Sequence, residues 1–305
     1  MNSILYQKID ILTRQLHRLV GRTFLSLRKN KRPSSYPYIT GDSFRALAKH
    51  IFDETEDFNP DIVEHRDIVF VGQGFFHLYF DTIHPKIKYP YILLVHNGDD
   101  PIDEKAINRL DAKIIHCFAQ DVTFYHQKVT PIPIGIENKH FFINGLTYFY
   151  DRIIRDIKKT DRERKNKIFY SFSVGTNPAE RTKALNFLQS YPHSEKPSQF
   201  LTPMRHAKTL LTYKFVASPP GNSIESCRTW EALYLGVIPI VKNYIAMQHF
   251  KAIKLPIWVI DNWDELSPYD AQKLSAKYKL LMESADLGPL YMDYWIDEIR
   301  NAQVK

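Results

Sequence analysis

Residues 214–242 read KFVASPPGNSIESCRTWEALYLGVIPIVK. An apolar, β-rich run ends in Ser218-Pro219-Pro220-Gly221, a helical pattern follows, Gly236 stops it, and a second apolar run begins at Val237. Strand, turn, helix and strand in so short a stretch is the unit from which parallel sheets are built. Asn222 is placed to cap the helix, with Glu225 three residues on to complete a capping box. A helix start behind a strand, preceded by glycine, offers backbone N–H groups and a positive dipole end to an anion. The Gly-Lys-Ser/Thr ending of a P-loop is missing, and so is G-x-G-x-x-G.

At helical spacing, Glu231 falls inside the apolar stripe made by Ile224, Cys227, Tyr234 and Leu235, with Arg228 beside it. A carboxylate on a buried face needs a partner, because burying it alone costs several kcal/mol. Two readings follow. Either Glu231 and Arg228 form an internal ion pair, or Glu231 faces an interdomain cleft and accepts hydrogen bonds from ligand hydroxyls. Ribose hydroxyls are natural donors to a fixed carboxylate. Phosphate at the helix start and ribose further along describe a nucleotide.

The same run resembles the donor-binding segment of exostosin-like glycosyltransferases, which joins a strand, a proline-glycine turn, an arginine, Glu-Ala-Leu, a glycine and Ile-Pro-Ile/Val. It is less closely similar to the equivalent segment of fucosyltransferases with the same two-domain fold. PIPIGIENKHF, residues 131–141, resembles the hinge that enters the second domain of that fold. Val237 stands where exostosin-like sequences often carry cysteine. The resemblance implies an α/β protein of the GT-B type, with two Rossmann-like domains facing a cleft. It also implies a nucleotide-sugar, with a UDP-sugar as first choice, held mainly by the C-terminal domain. On that basis Gly221 and Asn222 lie near the diphosphate, Glu231 binds ribose, and Arg228 binds phosphate or holds Glu231. Arg181 and Lys183, in SVGTNPAERTKAL, become candidates for neutralising the departing diphosphate, whose charge grows in the transition state. Two solvated helix charges are the plainer reading of that pair.

Working outward, β-rich runs at Asp67–Val71, Tyr91–Val95, Lys113–Phe118 and Pro131–Ile134 alternate with possible helices. A second series comprises Ile168–Ser173, Lys214–Ser218, Val237–Val241 and Ile257–Ile260, and helical patterns cover 269–284 and 289–303. The expected division is a basic arm over 1–35, an N-terminal acceptor domain over 36–140 and a connection over 141–167. A nucleotide-sugar-binding domain over 168–265 and C-terminal helices over 266–305 complete it.

Transfer with inversion needs a base to take the acceptor proton. The strand YILLV runs into His96-Asn97-Gly98-Asp99-Asp100-Pro101, and polar side chains at the carboxyl end of a parallel strand point into a ligand crevice. His96, Asp99 and Asp100 are therefore the candidate bases, although Asn-Gly-Asp-Asp-Pro is also good turn chemistry. The turn FVGQGFF (Gly72, Gln73 and Gly74, with His77 beyond) sits at another strand end, where it can border an acceptor. Phe75, Phe76, Tyr79 and Trp263 are aromatics that fit either a sugar face or the core. A rival reading takes Asp99, Asp100 and Asp103 as the metal-binding acids of a single-domain, metal-dependent GT-A transferase. A non-catalytic nucleotide- or glycan-binding module is another.

The chain has 305 residues, 44% of them apolar, which fits two soluble domains. Two cysteines, Cys117 and Cys227, make neither a disulfide framework nor a four-ligand zinc site. No run approaches the ~18 apolar residues of a membrane span. Residues 1–33 hold eight basic side chains against one acidic, leaving 33 of each elsewhere, so the net charge of +7 belongs to the arm. Its leucines and isoleucines recur at helical spacing, which suits either an anionic membrane surface or packing on the body. Nucleic-acid binding lacks any accompanying motif. The expectation is an inverting, metal-independent glycosyltransferase of surface polysaccharide or lipopolysaccharide synthesis. It acts on a glycan or glycolipid, needs no cofactor beyond its donor, and is cytoplasmic on the inner face of the membrane.

Overall fold

A computed structural model describes residues 19, 23, 32–55, 58–141, 147–157, 163–199 and 201–304. Residues 1–18, 20–22 and 24–31 of the basic arm lie outside the described residues, and with them the amphipathic helix expected there. Among the described residues no helix is long and apolar enough to cross a membrane.

After a short helix, α1 (Gly41–Arg45), the first half forms a five-stranded parallel sheet whose spatial order follows the chain: β1 (His50–Phe52), β2 (Ile68–Gly72), β3 (Tyr91–His96), β4 (Ile114–Ala119) and β5 (Val129–Pro131). Every residue of β3 is buried, as befits a central strand covered on both faces. Val69, Val71, Leu93, Val95, Cys117 and Ala119 project to one face. There they meet Phe76, Tyr79 and Phe80 of α2 (Phe76–Thr82), and Ala106 and Ile107 of α3 (Glu104–Ile107). Phe76 and Tyr79 are therefore core rather than sugar-facing, and so is Trp263 in the second half.

The second sheet runs β7-β6-β8-β9-β10, from β6 (Lys165–Phe169), β7 (Ser194–Glu195), β8 (Tyr213–Ala217), β9 (Ile238–Lys242) and β10 (Trp258–Ile260). The chain steps outward from β6 to β7 and then crosses back to β8 on the other side of β6. The order thus reverses between β6 and β8, and in open parallel sheets a crevice forms at the carboxyl ends of such strands. Ala184 and Leu188 of α5 (Pro178–Ser190) cover one face together with Leu274 of α9 (Ala271–Glu283).

The two inner faces share one apolar cluster. Phe70, Ile92, Leu94 and Phe118 of the first sheet and Phe169 and Val216 of the second belong to it, together with Trp230, Leu233 and Tyr234 of α7 (Cys227–Tyr234). Helix α8 (Ile245–Ala252) adds Ala246, Met247 and Phe250 to it, and the last helix, α10 (Met292–Val304), returns to the first sheet and buries Trp295, Ile299 and Ala302 there. The Tyr234 hydroxyl accepts from the Ile39 amide at 3.0 Å and donates to the Leu290 carbonyl, tying both ends of the chain to α7.

Three local expectations need correction. Residues 132–134 leave the sheet, because β5 ends at Pro131 and the Ile132 amide makes the last bond to Ala119. Residues 141–167 are more than a connection. They contain α4 (Tyr148–Ile157), which buries Tyr150 and Ile153, and the start of β6. Helix α7 begins at Cys227, so Asn222 does not cap it. The Glu225 carboxylate that was to reach back to Asn222 instead accepts from the Ile134 amide at 3.1 Å and the Trp230 indole at 2.9 Å.

Candidate functional site

A pocket of about 360 Å³ opens where the order of the second sheet reverses. Its floor carries Ser171 and Arg181 from beyond β6, and Ser226, Cys227, Arg228 and Glu231 from beyond β8. Glu137 and Tyr150 approach from the segment joining the halves. The remaining wall is Pro197, Gln199 and Leu201, followed by α6 (Pro203–Leu210) with His206 and Ala207. The volume lies in the range of small-molecule sites.

Arg181 is built in rather than draped over the surface. It sits in the first turn of α5, whose start is fixed by Asn177: the Asn177 Oδ1 accepts from the Glu180 amide at 3.2 Å. Arg181 Nε donates to the Pro220 carbonyl and Nη1 to the Ser173 carbonyl, each at 2.8 Å, while Asn177 Nδ2 donates to the Gly221 carbonyl at 3.1 Å. The turns after β6 and β8 are thereby clamped together. A Cβ on Gly221 would stand 3.2 Å from Arg181 Nη2, so glycine lets the turn close on the guanidinium.

Arg228 projects into the same space from α7, and its Nε is buried with no hydrogen-bond partner among the described residues. Burial, followed by the like charge of Arg228, pulls Arg181 down to about 10, which leaves it cationic at neutral pH. Burial also lowers Arg228, with Glu231 and Cys227 opposing that shift. Burial and then Arg228 push His206 down to about 4, so this wall of the pocket is neutral imidazole. Two guanidinium groups thus share one concavity with the carboxylates of Glu231 and Glu137. Such a site can hold an anion at one end and hydroxyl donors at the other.

Of the donor-site expectations, Arg181, Arg228 and Glu231 are brought together. Gly221 packs against Arg181 at the edge, whereas Asn222 is exposed and donates from Nδ2 to Asp99 Oδ2 at 3.3 Å across the cleft. Lys183 is not among the residues lining the pocket. It is exposed on the outer side of α5 and paired with Glu180 at 2.7 Å.

The candidate bases separate. His96 Nε2 bonds to the Pro133 carbonyl at 3.0 Å and Nδ1 accepts from the Asn97 amide at 2.6 Å, so both ring nitrogens are committed inside the protein. Burial, only partly offset by these contacts, holds the ring down at about 4. Asp99 and Asp100 are exposed beyond the end of β3, and Gln73 braces their loop by donating to the Asp100 carbonyl. His77 lies exposed on α2, and Gly74 makes no close approach that would require glycine. Asp103 caps α3 by accepting from the Ala106 amide at 3.0 Å. Among the described residues no three His, Cys, Asp or Glu side chains gather as a metal site. The two separate parallel sheets do not match the single-domain reading.

Sequence reading missed Glu137, Ser171, the 197–206 wall, and a buried Asp121 next to Glu225. Glu137 had a signal, as the one acid of the otherwise apolar hinge PIPIGIEN. The others depend on long-range packing.

No protein-family model matches the chain, and no curated protein matches it by sequence. Among solved structures it is similar to spinosyn rhamnosyltransferase SpnG complexed with thymidine diphosphate, at 11% identity and a TM-score of 0.34, over 99% of this chain and 81% of that one. The same enzyme complexed with spinosyn aglycone gives 12% identity at the same TM-score.

Proposed function

We propose that the chain is a GT-B-type glycosyltransferase that binds a nucleotide-sugar, with a UDP-sugar as first choice, in the pocket between β6 and β8. One observation carries this reading: Arg181, Arg228 and Glu231 converge on a single pocket at the strand-order reversal. The diphosphate lies against the two guanidiniums, where the unpartnered Arg228 Nε supplies a donor. Ribose hydroxyls donate to Glu231, and the base lies toward Pro197, Leu201 and Ala207. The acceptor, a glycan or glycolipid, enters along the carboxyl ends of the first sheet, where Asp99 or Asp100 takes its proton.

In this mechanism the acceptor oxygen attacks the anomeric carbon from the side opposite the diphosphate and the configuration inverts. The two arginines stabilise the charge gathering on the leaving group, so no metal is required. A role at the inner face of a membrane, in surface polysaccharide or lipopolysaccharide synthesis, belongs to the same proposal and rests on the basic arm.

Calorimetry with UDP, GDP, CMP and ADP, with and without chelator, tests it. Saturable binding of one nucleotide that survives chelation and weakens at least about tenfold in Glu231→Ala supports the assignment. Binding that requires a divalent ion overturns the metal-free site, and no nucleotide binding overturns the whole reading.

A further inference from the structure

A second concavity, of about 580 Å³, lies behind the proposed nucleotide pocket. The two share Pro197, Gln199 and Leu201 as a common wall, and helix α6 completes the partition. At about 100° per residue, its sequence PMRHAKTL turns Pro203, His206, Ala207 and Leu210 to the nucleotide pocket. Arg205, Lys208 and Thr209 fall on the opposite side and line the second groove. That groove lies against the starts of β6 and β8, at Lys165 and Tyr213, whereas the nucleotide pocket is built beyond their carboxyl ends.

Among the described residues, four cations line the groove (Lys165, Lys196, Arg205 and Lys208) against one acid, Glu195. The acid is already neutralised, because Oε1 pairs with Lys165 at 2.9 Å and Oε2 with Lys167 at 3.1 Å. Lys196, Arg205 and Lys208 are exposed and make no hydrogen bond or ion pair among the described residues. Overall basicity does not account for them, since residues 34–305 hold 33 basic and 33 acidic side chains. Elsewhere on this balanced body, Lys49, Lys88 and Lys183 sit beside carboxylates.

Three unpaired cations in one concavity raise the local concentration of anions. Arg205 and Lys208 are neighbours on one helix face, three residues apart, so both can reach the same phosphate. The neutral side chains of Ser198 and Thr209 stand among them and can bond to the oxygens of whatever carries that phosphate.

We propose that this groove is a second ligand site, separate from the nucleotide pocket, for a phosphate monoester carried on a polyol. Arg205, Lys208 and Lys196 hold the phosphate, and Ser198 and Thr209 meet the polyol part. Such a group occurs free in solution, as in glycerol 3-phosphate, and at a lipid surface, as in phosphatidic acid. The inference goes beyond the transferase reading and does not depend on it.

Calorimetry of the full chain with glycerol 3-phosphate, and with glycerol as the uncharged control, tests the site. Wild type should bind the phosphate saturably and glycerol not at all. The double variant Arg205→Gln/Lys208→Gln should weaken that binding at least about tenfold. Arg228→Ala, in the nucleotide pocket, should leave it within about twofold. Lys196→Gln, outside α6, should weaken it in the same direction, which guards against a mere disturbance of the helix. Co-sedimentation with phosphatidylcholine vesicles, with and without phosphatidic acid, covers the membrane source. Wild type and the double variant carry the same basic arm, so phosphatidic-acid-dependent binding lost in the variant supports the site with a lipid as its ligand.

Phosphate and vesicle binding that is the same in wild type and double variant, or absent from both, overturns the proposal. A glycerol 3-phosphate signal lost in Arg228→Ala and kept in the double variant also overturns it, by placing the anion in the nucleotide pocket. Binding of duplex DNA that the double variant loses, where neither phosphate probe binds, overturns it in favour of a nucleic-acid surface. Nucleotide binding can fail in the calorimetry above while the groove still takes glycerol 3-phosphate, so the two inferences fall separately.

Discussion

Arg181 donates through Nε to the Pro220 carbonyl at 2.8 Å, from a helix that begins 35 residues before β8. Together with its bond to Ser173, this makes one side chain both the clamp between two strand-end turns and a wall of the pocket. Arg228, in the same pocket, has a buried Nε that no described residue engages. On the proposed function Arg181 combines a structural role with a ligand role whereas Arg228 has the ligand role alone, and substitution should separate them.

Arg181→Ala leaves two buried carbonyls without their donors, which costs about 2–3 kcal/mol of stability, and it also weakens nucleotide binding. Arg228→Ala should change stability by less than about 1 kcal/mol yet lower nucleotide affinity about tenfold or more. Urea melts paired with calorimetry on both variants check this. Equal losses of stability would show that the arginines share one structural role.

Gly135 has φ +71°, and a Cβ there would stand 2.2 Å from the Ile39 carbonyl oxygen. Neither the backbone nor the neighbour can yield cheaply, because the Ile39 carbonyl is also the acceptor for the Ile136 amide. Gly135→Ala should therefore destabilise by about 3 kcal/mol or more. Gly221→Ala has no positive φ to strain it and closely approaches just the end of a guanidinium, with the Glu225 carbonyl oxygen at ordinary contact distance, so it should fold normally and lose affinity several-fold. Thermal melts and nucleotide titration of the two variants distinguish these outcomes.

His96 is neutral and buried, with its value depressed to about 4. A base depressed by folding contributes stability that is complete above its unfolded value of about 6.5 and is lost as pH falls toward the folded value. The denaturation midpoint should therefore drop between those two values, with His96 responsible for about 3 kcal/mol of the change. His96→Gln should flatten that limb. A variant with the wild-type acid slope would place the titration elsewhere, His206 being the next group to test since burial and Arg228 hold it at about 4 as well.

How much of this was legible beforehand depends on whether the information was local. The strands at 67–71, 91–95 and 214–218 announce themselves because they are short β-rich apolar runs closed by turn residues. Glu231 could be placed by helical period alone, since that period is preserved from Cys227 to Tyr234. β1 and β7 were not legible, because edge strands of three and two residues carry almost no pattern. Asn222 misled because its capping geometry is a local preference, and Glu225 found stronger partners in Ile134 and Trp230, contacts set by tertiary packing. His96 looked like a base by position, but the loop at Pro133 that occupies its ring lies 37 residues away.

Asp103 and Asp99, both beyond the end of β3, differ in their hydrogen-bond partners. Asp103 caps α3 through the Ala106 amide, so Asp103→Ala should cost about 1 kcal/mol and leave nucleotide binding, with or without chelator, as in wild type. Asp99 is exposed and accepts from the Asn222 side-chain amide at 3.3 Å, a distance at which an incoming acceptor hydroxyl can compete. On the proposed mechanism Asp99→Asn keeps the shape and the donor site but removes the proton acceptor. It should lower kcat by about 10²–10⁴ with the donor KM unchanged. Steady-state kinetics with the nucleotide-sugar selected by calorimetry make the measurement. Full activity in Asp99→Asn together with loss in Asp100→Asn would move the base one residue along the loop, and activity in both would remove this loop from the chemistry.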